Sequence, residues 1–85
     1  MRGRTDAEHL SFATESDTTL VSFNVHDYMR LHGELMRGGR HHTGIVLSIQ
    51  GRFGIGELQR RLARIATTLD PDDMVNRVEF LNAWG

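Results

Sequence analysis

The stretch Thr19–Ile49, TLVSFNVHDYMRLHGELMRGGRHHTGIVLSI, changes its apolar rhythm twice, and those changes decide the fold. Thr19 to Phe23 is β-branched and apolar and stops at Asn24, which reads as a short buried strand. From Val25 the period becomes helical: Val25, Tyr28, Met29, Leu31, His32, Leu35 and Met36 share one stripe, with Asn24 as cap and Gly38 as stop. Arg37 to Thr43 is a loop, and Gly44 to Ile49, with its Ile-Val-Leu run, predicts a second strand buried on both faces. Strand, helix, strand makes a βαβ unit. Such units have a right-handed crossover in about 98% of cases, and both sheet faces then need helical cover.

Working outward, Thr5-Asp6-Ala7-Glu8 is a T-x-x-E capping box, so a helix is expected from Asp6 to about Thr14. Its buried side would be Ala7, Leu10, Ala13 and Phe12, with residues 1–4 a loose lead-in. On the other flank, a glycine-rich turn from Gly51 to Gly56 precedes Ile55, Leu58, Leu62, Ile65, Ala66 and Leu69, the clearest amphipathic helix in the chain. Asp70-Pro71 opens a last helix whose stripe continues through Met74, Val78 and Leu81. A terminal strand over Val78 to Leu81 is the rival reading. The whole is one α/β domain over residues 1–85, with two secure strands and a first helix that has nothing ahead of it to pack on. The strand at Thr19 would be an open edge, suited to self-association.

Composition narrows the chemistry. With no cysteine, disulfides, thiolate metal sites and cysteine nucleophiles are excluded, in keeping with a reducing cytoplasm. No apolar run approaches the roughly 20 residues of a membrane span. Ten basic against 11 acidic residues leave a net charge of -1, so any nucleic-acid binding must be local. Every basic residue is arginine, and Arg52, Arg60, Arg61 and Arg64 offer a rim for RNA phosphates or, alternatively, an ordinary solvated helix face.

Ligands in open α/β sheets gather beyond the carboxyl ends of the strands, which singles out Ser22, Asn24, His26 and Asp27. Asn24 and Asp27 also have an ordinary role as helix caps. Asp6 and Glu8 stand at another helix start, where they could join Asp27 to hold Mg2+ or Mn2+ through oxygen ligands. His41 and His42 are adjacent, point opposite ways on an extended segment, and read as a solvated loop. Gly51, Gly54 and Gly56 lack the pattern of a phosphate-binding loop.

Three runs, Arg4-Thr5-Asp6-Ala7-Glu8, LVSFNVHDY over Leu20 to Tyr28 and His41-His42-Thr43-Gly44-Ile45-Val46-Leu47, together resemble the PIN-like predicted nucleases of toxin-antitoxin systems. Ile55-Gly56-Glu57-Leu58 and the ending from Asp73-Met74 to Phe80-Leu81 are similar to one subgroup. The resemblance implies a PIN-like α/β/α sandwich with a short parallel sheet, and a divalent-metal-dependent ribonuclease toxin restrained by an antitoxin protein. It places the catalytic acids on Asp6 and Asp27, with Glu8 as a further metal ligand and Asn24 where many relatives have aspartate. It also implies that the family's acidic first strand, with the helix and strand after it, is missing here. Cation binding and cleavage should then be weakened, the alternative being an inactive remnant that binds a partner or a second copy of itself.

Overall fold

A computed structural model describes residues 5–49 and 54–84 of the chain. The lead-in 1–4 and, in the glycine-rich turn, Gly51 and Arg52 lie outside the described residues.

The Thr5 capping box forms as its sequence requires. The Thr5 hydroxyl accepts the Glu8 amide at 3.2 Å and the Glu8 carboxylate accepts the Thr5 amide at 2.8 Å, opening helix α1, Asp6–Glu15. Strand β1 is Leu20–Ser22, helix α2 Val25–Arg37, strand β2 Ile45–Leu47 and helix α3 Ile55–Thr68. The chain closes with a single helical turn, α4, Pro71–Met74, then strand β3, Val78–Phe80, and a 3-10 turn over Leu81–Ala83.

The three strands are parallel in the order β1-β2-β3, with Leu20, Ile45 and Val78 level across the sheet. β2 is central, which is why Ile45, Val46 and Leu47 are all buried. Strand alternation divides them between two cores. Ile45 and Leu47 pack with Leu10 of α1 and Tyr28 and Leu31 of α2. Val46 turns the other way, to Ile65 of α3, Met74 and Leu81. The result is an α/β domain with helices on both faces of a short parallel sheet.

Two expectations change. The last helix stops at Met74 and the rival strand forms, because Asn76 adopts the left-handed conformation, φ 61°, and bonds back to the loop before β2. Met74, Val78 and Leu81 thus share a helical spacing without sharing a helix. The buried side of the first helix is also narrower than expected: Leu10, packed on α2 and the sheet, and Ala13 are buried, while Ala7 and Phe12 are exposed. The right-handed rule does not hold for both connections. Both connections step the same way across the sheet, yet α2 covers one face and α3 the other, so they are of opposite hand and one is left-handed. Val46 gives the reason, since a second helix on the α2 face would leave it bare.

β1 forms one edge, as expected. Leu20 and Ser22 bond to β2, so alternation sends the Val21 amide and carbonyl outward. Beside it a groove of about 380 Å³ runs between β1 and α3, lined by Val21, Val46, Leu62, Ile65, Leu69 and Met74.

Candidate functional site

Two helix starts meet at the carboxyl end of β1. As β1 finishes, the Asn24 amide donates to the Ser22 hydroxyl at 3.0 Å, turning the chain into α2. Asn24 occupies the N-cap position but makes no side-chain cap bond. Its Nδ2 instead donates to Asp6 Oδ2 of α1 and to Asp27 Oδ2 of α2, each at 2.8 Å. Two contacts to one nitrogen hold those carboxylate oxygens within about 5.6 Å of each other. The ordinary capping role therefore does not describe Asn24, whose amide joins residues 18 positions apart in the chain.

Tyr28, one residue past Asp27, completes the cluster. It is buried and its hydroxyl is hydrogen-bonded to Asp6. Burial above all, then the charge of Asp6, the bond to it and the charge of Asp27, push the phenol up to about 12, so it stays a neutral donor. By its spacing alone Tyr28 belongs to the apolar stripe of α2. The available signal was a hydroxyl on a core position directly after the candidate acid.

Glu8 does not join. Its carboxylate serves the Thr5 cap, accepting the amide and, at 3.3 Å, the hydroxyl. Among the described residues no three of His, Asp or Glu gather as a metal-binding group, so the set Asp6, Glu8 and Asp27 is not formed and the pair Asp6 and Asp27 stands with Asn24.

Two other readings are corrected. His42 is not solvated but wholly buried, with Nε2 2.8 Å from Nδ1 of His32; His41 is exposed. Arg61 is not a free surface cation: it reaches Glu57 at 2.6 Å and the carbonyls of Leu81 and Asn82, tying α3 to the C-terminal turn. Arg60 also pairs with Glu57, and hydrogen bonds from the two guanidinium groups hold its carboxyl down at about 2. That leaves a weaker basic rim than the sequence suggests.

No helix among the described residues is long and apolar enough to cross a membrane. No family profile, curated protein or solved structure matches the chain.

Proposed function

We propose that Asp6 and Asp27 are the acidic ligands of a divalent-cation site in a PIN-like endoribonuclease of toxin-antitoxin type, acting in the cytoplasm on RNA and restrained by an antitoxin protein. The observation that carries this reading is the convergence of Asp6, Asn24 and Asp27 on one point at the carboxyl end of an edge strand. Mg2+ and Mn2+ are commonly held by one or two carboxylates, with waters and substrate phosphate completing the shell, so the donor set fits a weak site. Such a cation, when bound, activates water and neutralises charge on the phosphodiester. Asp6 and Asp27 bind it, Tyr28 fixes the Asp6 carboxylate, and Asn24 sets the spacing of the two acids and orients water or substrate through its amide.

Calorimetric titration with Mn2+, run beside cleavage of a single-stranded RNA, tests the reading with Asp27→Ala as control. Saturable binding and cleavage are expected in the wild type, and both are lost in the variant. A folded wild-type protein that neither binds Mn2+ nor cuts RNA contradicts it.

A second reading has its own support in the outward-facing Val21 and the adjoining apolar groove. In it, the chain is an inactive PIN-like module that takes a partner strand, or a second copy, along β1. A concentration-dependent mass by size exclusion with light scattering, lost in Val21→Lys, supports that reading, and a monomer at all concentrations opposes self-association.

A further inference from the structure

His32, on α2 one turn beyond Tyr28, meets His42 of the loop before β2 and makes with it a directional chain of hydrogen bonds. The Gly44 amide donates to His42 Nδ1 at 3.0 Å, so this nitrogen carries a lone pair. A neutral His42 then holds its proton on Nε2, which lies 2.8 Å from Nδ1 of His32 and donates to it. His32 Nδ1 must accept, which places its own proton on Nε2. The rings are edge to face, 5.1 Å between centroids.

No extra proton fits this chain. Charging His42 puts a proton on Nδ1 against the Gly44 amide. Charging His32 puts one on Nδ1 against the His42 Nε2–H. The titratable groups facing His42 are His32 from α2 and His41 from its own loop, while the turn before β3 presents the uncharged Asn76. Burial first, then these two neighbours, lower the His42 imidazole to about 4.

The backbone of the same residue fastens β3. The His42 amide donates to Asn76 Oδ1 at 3.1 Å, and the Asn76 amide donates to the His42 carbonyl at 2.9 Å. Immediately beyond, Ile45 donates to the Arg77 carbonyl as the ladder between β2 and β3 begins. β3 is a three-residue edge strand, held otherwise by its ladder with β2, by the buried Leu81 and by the bonds from Arg61 to the Leu81 and Asn82 carbonyls.

We propose that the His32–His42 pair is an acid-sensitive latch: it closes only with both imidazoles neutral, and its protonation frees β3 and the C-terminal turn from β2 while α1, α2 and β1 stay packed. This inference is independent of the cation site.

Amide exchange of the wild-type chain, corrected for the intrinsic pH dependence of exchange, tests it between pH 7 and 4.5. Protection at Val78–Phe80 should fall with acid by up to about tenfold per pH unit, the limit for one proton, while Tyr28–Leu31, opening only with the whole chain, stays the better protected at every pH. In His42→Gln, whose side-chain amide can still donate to His32 Nδ1 and accept from the Gly44 amide but carries no imidazole, the acid-dependent loss should disappear. Unchanged β3 protection, simultaneous opening of α2, or an unmoved transition in the variant each overturns the latch. Nitrogen NMR of the wild-type rings gives a check that needs no variant: at pH 7.5 both must be Nε2–H tautomers, and an Nδ1–H form of either refutes the proposal.

Discussion

At the scale of the residue, Asn24 is where stability and proposed chemistry compete. Its amide separates two like charges, so Asn24→Ala should cost about 1–2 kcal/mol in urea denaturation at neutral pH, from two lost charge-assisted bonds at a partly exposed site. Asn24→Asp puts a third carboxylate in their place. Without cation it should be less stable than wild type, and with Mn2+ it should bind about tenfold more tightly or better by calorimetry, because site affinity follows ligand charge. His42 sets the pH dependence. Between pH 6.5 and 4 the unfolded chain takes up a proton that the folded chain refuses, so stability is full above 6.5 and declines as pH falls toward about 4. Thermal melts across that window should record a loss of up to about 3 kcal/mol. Asp6, Asn24 and Asp27 were legible because caps and strand ends are written locally. Tyr28 and His42 were not, since a hydroxyl on an apolar stripe and a histidine in a polar loop acquire their partners only when distant segments fold together.

Among the elements, the first four follow their sequence signals closely and the last two do not. The T-x-x-E box, the strand before Asn24, the Gly38 stop and the Ile-Val-Leu run each name a local structure without help from elsewhere. Beyond Pro71 the signals conflict. Met74, Val78 and Leu81 fit a helix, but Asn76 tolerates the left-handed turn that breaks it, and β2 offers an unpaired ladder for Val78–Phe80 to complete. Tertiary pairing wins over periodicity there. The turn before β2 is equally constrained: Gly44 has φ 119°, and a Cβ added to it would lie 2.9 Å from Met74 Cβ. Gly44→Ala should therefore lower stability by more than about 2 kcal/mol, through backbone strain together with overpacking against α4. A near-wild-type urea midpoint for that variant would show that the approach of the two segments is looser than described.

Across the whole molecule, consecutive stretches of chain serve opposite faces of the sheet. α1 and α2 precede β2 and cover one side; α3 and α4 follow it and cover the other. The alternation within Ile45, Val46 and Leu47 serves both, as Leu20 and Val21 do at β1, and Leu47→Ala, at a wholly buried position, should cost about 2–5 kcal/mol. Leu31 and Ile65 belong to different cores, so truncating both to alanine should give a penalty equal to the two separate ones within about 0.5 kcal/mol. This arrangement makes β2 a thin partition. A disturbance in one compartment reaches the other across the strands and by the His32–His42 contact that leads from α2 to the turn before β3, so the acidic cluster and the tryptophan-bearing end of the chain are neighbouring rooms with a shared wall and one door.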